Sequence, residues 1–454
     1  MTTTTETEIH LDTDVLAALT GIAPGDALDQ ARDRRPESRE HTQGSFEALF
    51  LPSDASQVSL AERAAVALFV AKLHRQAAAV EFYGALLRST GGERLEALIV
   101  GEARRAAGEG PYGAFRAENV AESVSGPEFS VDSVEAAYAL GDRLAAALEH
   151  AHLLVLHPRD ADRAALQQLL DAGWSTTGIV TLSQLVAFLT FQLRVVHGLS
   201  ELRLADGGAA VEAGEFTELA ARVAQLAEER LRDAAWGSSA THLAGQNSEP
   251  GGDTEPREQL PPAPKVTEPA RFTQDVLGWK PWLEPLPVAE FTERHYEALV
   301  ERERVHMPYF RVLARDPEAL LERTLTDLDI FTNTDAGLPR AEREIAAAAA
   351  SRFNGCVFCA SVHSRFATEK GADRAEVQRL LDDGVTAEFG PRWNAIIAAT
   401  VALTATPPRF GGEHVASLRA AGLDELELLD VIQAGAFFNW ANRLMLSLGE
   451  PTVA

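Results

Sequence analysis

Cys356 and Cys359 are the only cysteines in the chain, within Glu344-Ile-Ala-Ala-Ala-Ala-Ala-Ser-Arg-Phe-Asn-Gly-Cys356-Val-Phe-Cys359-Ala-Ser-Val-His363. A Cys-x-x-Cys at the start of a helix puts both sulfurs on one face, within the Cα separation of about 6 Å that a disulfide needs. Reversible oxidation is the chemistry this spacing suits. His363 follows Cys359 by one helical turn, where an imidazole can take or return a proton. A neighbouring histidine and the positive end of a helix both favour thiolate over thiol. Cys359 is therefore the expected attacking sulfur and Cys356 its resolving partner. Glu344 precedes Cys356 by twelve residues, across an Ala-rich helical run and a break at Asn354-Gly355. It can thus fold back and orient His363.

Other uses of the same residues compete. Free cysteines are among the most buried residue types, so two inert core thiols are one alternative. Cys356, Cys359, His363 and Glu344 are also metal-ligand types, although structural zinc usually takes a second Cys or His pair that this chain lacks. A thioredoxin fold needs strand-helix alternation around the motif, and the flanks here are helical. Redox catalysis stays ahead of all three.

The elements that must position these residues read as helices. Apolar residues recur at helical spacing over 60–87, 132–156, 161–172, 177–203, 290–314 and 317–330, while alternating β-branched runs are nearly absent, so the fold class is all-α. A short helix is expected around Val15–Leu19, followed by a polar segment through Glu40 without a readable role. From Gly237 to Pro269 six prolines and four glycines fall in 33 residues, the composition of a linker. The expected organisation is a helical domain over 1–236, the linker over 237–269 and a second domain over 270–454, whose halves need not touch. Trp279 and Trp282, beyond the linker, are expected in core packing or docking.

The halves also look like two copies of one unit. Ala61-Glu-Arg63 matches Ala341-Glu-Arg343 at an offset of 280. Ala172-Gly-x10-Gln184-x2-Ala-Phe188-x5-Arg194 matches Ala421-Gly-x10-Gln433-x2-Ala-Phe437-x5-Arg443 at an offset of 249. In the first register the four site positions fall on Ala64, Gln76, Ala79 and Tyr83, which cannot do thiol chemistry. Glu62, His74 and Glu81 lie nearby, but a histidine among helical polar positions is more often structural than a ligand.

Glu-x11-Cys-x2-Cys-x3-His resembles the alkyl hydroperoxide reductase D (AhpD-like) family of the carboxymuconolactone decarboxylase-like superfamily. Leu338-Pro-Arg-Ala-Glu-Arg-Glu344 and Phe437-Phe-Asn-Trp-Ala-Asn-Arg443 extend the resemblance to roughly residues 270–450. The resemblance implies that Cys359 attacks a hydroperoxide, Cys356 closes a disulfide, and Glu344 and His363 relay protons. It implies no metal or flavin cofactor, and an external dithiol reductant, either a lipoyl-bearing or a thioredoxin-like protein. Members assemble through helical faces, so a homo-oligomer with an intrachain pseudo-dimer is expected. One position departs: Phe358 stands where well-studied members carry a second histidine. A redox sensor or scaffold, and a lactone decarboxylase using acid-base groups, are the alternative functions.

Whole-chain chemistry narrows the partners. With 454 residues, 46% hydrophobic, the chain is long enough for two or three domains. Its 41 basic and 67 acidic residues give a net charge of −26, which argues against nucleic acid and anionic membranes. No apolar run is read as reaching the roughly 18 residues of a spanning helix, and the N-terminus lacks a signal-peptide pattern. A cytoplasmic protein is expected, where such a motif serves redox cycling more often than structure.

Overall fold

The computed structural model describes residues 10–211, 216–241 and 258–453. The first half runs α1 (Val15–Thr20), α2 (Ala27–Asp33), α3 (Pro36–Phe50), α4 (Leu60–Leu73), α5 (Ala77–Ser89), α6 (Glu93–Arg105), α7 (Val134–Leu156), α8 (Arg163–Asp171), α9 (Thr176–Ala205) and α10 (Thr217–Thr241). The second runs β1 (Leu277–Pro281), α11 (Glu293–Ala298), α12 (Pro308–Leu313), α13 (Pro317–Thr332), α14 (Arg340–Asn354), α15 (Val357–Glu369), α16 (Arg374–Asp383), α17 (Pro391–Thr404), α18 (Gly412–Ala420), α19 (Glu425–Ser447) and β2 (Gly449–Val453). Among the described residues the fold is helical apart from the small antiparallel β1–β2 pair. Short polar signals set the helix starts. Ser59 and Glu62 form a reciprocal capping box at α4, as Asp424 and Glu427 do at α19.

Several segments differ from the sequence reading, each for a local reason. The pattern over 60–87 is split at Arg75, whose backbone is left-handed (φ 56°). That over 290–314 is broken at Val300 (φ 62°) and ahead of Pro308. The polar segment near residue 40 is the start of α3, which packs along α13. Thr176–Ala205 is long and apolar enough to cross a membrane, with a mean hydropathy of 1.7 over 18 residues, contrary to the reading of the apolar runs. That whole window is buried inside the protein, as an all-round apolar core helix is. Trp279 and Trp282 are buried, their indoles donating to Met445 O and Glu450 Oε1.

The halves meet through equivalent helices. α9 lies along α19, and α3 along α13. In the first seam Phe188 and Phe191 pack on Trp440 at centroid distances of 5.2 and 5.7 Å, and the indole donates to Gln184. Arg194 donates to Thr404 O at the end of α17, and Arg443 to Val155 O near the end of α7. Arg194 and Arg443 stand 249 positions apart, and so do Val155 and Thr404, a reciprocal exchange of the kind a two-fold axis produces. Part of the expected linker, 242–257, lies outside the described residues. The stretch from 258 is laid on both halves, with Glu258 accepting from Thr176 N and Thr267 O from Val453 N. One apolar core runs through both halves.

A buried ion pair crosses the same boundary. Arg35, just ahead of α3, makes a two-pronged contact with Asp430 of α19, each bond 2.8 Å, with both side chains excluded from solvent. Burial raises the pKa of Asp430, against the pull of Arg35 and Arg343. Such a pair contributes little net stability, but breaking it strands a charge. Arg35→Ala should therefore destabilise the chain by about 3–5 kcal/mol in urea unfolding. The double variant Arg35→Met/Asp430→Leu should recover only part of that loss, because Asp430 also pairs with Arg343 and accepts from Leu338 N.

Candidate active site

The five alanines Ala346–Ala350 are fully buried, and these small side chains let α14 lie close against both α15 and α19. α14 ends at Gly355, whose left-handed backbone (φ 81°, ψ 13°) lets the chain turn at once into α15. Cys356 is the N-cap of α15, with its N–H donating to Ser351 O, and Cys359 sits in the first turn. Both are free thiols with Sγ atoms 3.0 Å apart, and they are 2% and 4% exposed. The turn rests on a buried amide network. Asn354 Nδ2 donates to Asn442 Oδ1 (3.0 Å) and Asn439 Oδ1 (3.2 Å), and Asn442 donates to Ser351 Oγ.

Glu344 folds back as the spacing predicts. Its Oε2 lies 2.5 Å from His363 Nδ1, and its Oε1 accepts from Arg340 Nε at 2.6 Å. A carboxylate only accepts, so the His363 nitrogen facing it, Nδ1, is the donor. The His363 ring meets Phe438 at 4.0 Å between centroids and is also flanked by Phe331 and Phe366. The structure thus joins Glu344 to His363 and Cys356 to Cys359. No hydrogen bond links the imidazole to either sulfur.

Electrostatics differ from the expectation of an activated thiol. Burial pushes the pKa of Cys359 well up, and contact with Cys356 adds to this. A hydrogen bond from the Asn442 side chain and the positive charge of Arg323 act the other way. Arg323 is a buried guanidinium whose Nε has no partner, seated by the rings of Phe437, Tyr309 and Trp440. Burial also raises Asp327, one turn further along α13, and lifts Tyr309 to about 12. Sequence reasoning missed Arg323, Asp327, Tyr309 and Asn442. The four-residue spacing of Arg323 and Asp327 within an expected helix was an available signal for the first two, and Asn442 lies in a stretch already singled out.

The first-half positions at the 280 offset carry no thiol. Ala64, Ala79 and Tyr83 are fully buried, with Tyr83 donating to Gln192, while Gln76 meets His197. Glu62 caps α4 and pairs with Arg143, whereas His74 is held at the other end of α4 between Val70 O and Arg194. Burial keeps His74 neutral.

Residues 318–402 match the carboxymuconolactone decarboxylase family, a span running from α13 to α17 that includes all four predicted site residues. No curated protein matches the chain.

The two influences that favour the Cys359 thiolate are separable from the histidine. Asn442→Ala and Arg323→Gln should each raise the pH at which Cys359 reacts with iodoacetamide, because each removes a stabiliser of the charged sulfur. The rate of alkylation followed against pH checks both.

Proposed function

We propose that the protein is a thiol-dependent peroxidase acting on organic hydroperoxides or hydrogen peroxide, with its chemistry in the second half and a degenerate copy of the same unit in the first. The observation that carries this reading is the 3.0 Å approach of two free sulfurs at the head of α15, one turn from a histidine paired with a buried carboxylate. Because burial favours the protonated thiol, a base is needed when peroxide arrives, and His363 Nε2, backed by Glu344, is the group available. The Cys359 thiolate attacks the distal oxygen and the O–O bond breaks. The departing alkoxide takes a proton and leaves as alcohol, or as water from hydrogen peroxide. Cys359 is now a sulfenic acid, two electrons more oxidised. Cys356 attacks that sulfur, forms the disulfide and releases water. An external dithiol, on a lipoyl-bearing or thioredoxin-like protein, then exchanges with the disulfide, restoring both thiols and becoming oxidised itself. A cytoplasmic setting, where such dithiols are kept reduced, fits this cycle.

A second reading is a redox sensor that reacts once, and the near-complete burial of both sulfurs favours it. Turnover separates the two. With excess dithiol, the peroxidase consumes many equivalents of peroxide per chain, and a sensor stops after about one. In the same assay Cys359→Ser should abolish consumption. Cys356→Ser should allow a single oxidation and accumulate sulfenic acid, detectable by dimedone labelling. The opposite pattern would exchange the two roles.

A further inference from the structure

We infer that the first half completes the redox site through Arg159, a positioning residue that holds the turn carrying Cys356. Arg159 lies in the short turn that follows α7, and its guanidinium crosses the boundary between halves to donate to Phe353 O at 2.9 Å. Its other donors go to Pro111 O (2.7 Å) and Gly113 O (3.0 Å), so Nε, Nη1 and Nη2 are each committed to a backbone carbonyl. The side-chain stem covers Gly355. A Cβ at that glycine would come within 2.6 Å of Arg159 Cδ and 2.7 Å of its Cγ. Phe115 stacks on the guanidinium, 4.3 Å from the ring centroid.

The same first-half segment grips the turn from below. Arg443 donates to Val155 O and to Asn439 Oδ1, the oxygen that also accepts from Asn354, next to Gly355. The three residues before Cys356 are thus clamped between Arg159 and the amide network. The sulfur separation is set by where this turn begins, so both contacts act on it directly.

This support is one-sided. In the 249 register the counterpart of Arg159 is Pro408, and the adjacent Arg409 is exposed and makes no reciprocal bond to the first half. The half without thiols supplies the arginine, and the half with thiols receives it.

The inference rests on the redox reading of the thiols, and one equilibrium separates the two. In full-length protein, the dithiol is mixed with oxidised dithiothreitol, which takes two electrons and two protons as the Cys356–Cys359 disulfide forms. A wild-type chain that never forms the disulfide defeats the redox reading itself. If it does form, Arg159→Ala should make the disulfide about tenfold less favoured, within the range that small misplacement of reacting groups produces. Thr181→Ala, which loses a cross-half bond to Asp316 at the far end of α13, should leave the equilibrium unchanged. Arg159→Lys keeps the stem but not the fork, and should show the same direction of shift even if Arg159→Ala fails to fold. An unshifted equilibrium in Arg159→Lys, or an equal shift in Thr181→Ala, would overturn the assignment.

Discussion

Five arginines, Arg35, Arg194, Arg343, Arg352 and Arg443, are almost wholly withdrawn from water, and the architecture depends on finding acceptors for them. A buried guanidinium without partners costs far more than any single packing contact returns. Asp430 serves both Arg35 and Arg343, and Glu122 of the first half serves Arg352. Backbone carbonyls supply the remaining acceptors: Arg343 takes those of Leu338, Ile330 and Asn333, and Arg352 takes that of Leu381. Arg194 and Arg443 find theirs at helix ends of the opposite half. Each half is therefore left with an unsatisfied cation unless the other is docked, which ties the halves together more specifically than apolar contact does.

That constraint was partly visible in the sequence. Arg63 and Arg343 fell in register with one another, and the structure gives both the same task, with Nε on Val58 O and Leu338 O respectively. The fold class followed from helical spacing, and the Glu344–His363 contact from counting turns across an Ala-rich helix and a glycine break. Those inferences need only local geometry. The environment of the thiols was different. Arg323, Tyr309 and Asn442 come from α13, α12 and α19 respectively, and no periodicity says which distant helices will converge on one sulfur. Nor did composition disclose that Cys359 would be so enclosed that burial outweighs nearby favourable influences. Val300 and Arg75 hid for another reason: non-glycine residues in left-handed backbone carry no reliable mark in sequence.

Enclosure of the thiols also bears on selectivity. A sulfur that is largely protonated and nearly out of reach is a poor target for bulky electrophiles. On the proposed peroxidase reading, a small peroxide beside His363 is met by proton removal at the moment of attack. The rings of Phe331, Phe366 and Phe438 pack around that imidazole.

The contact between α9 and α19 resembles the meeting of identical subunits, yet it is made within one polypeptide. Two identical chains related by a two-fold must present every residue twice, so a substitution helpful on one side of the axis is imposed on the other. Covalent fusion lifts that obligation. Tyr83 can fill the position that His363 holds in the other half, and Pro408 can stand opposite Arg159, because neither choice is copied across the axis. Each chain is thereby an asymmetric pair, one half carrying the two thiols and the other lending Arg159 to the turn ahead of them, an arrangement closed to any homodimer of the same unit.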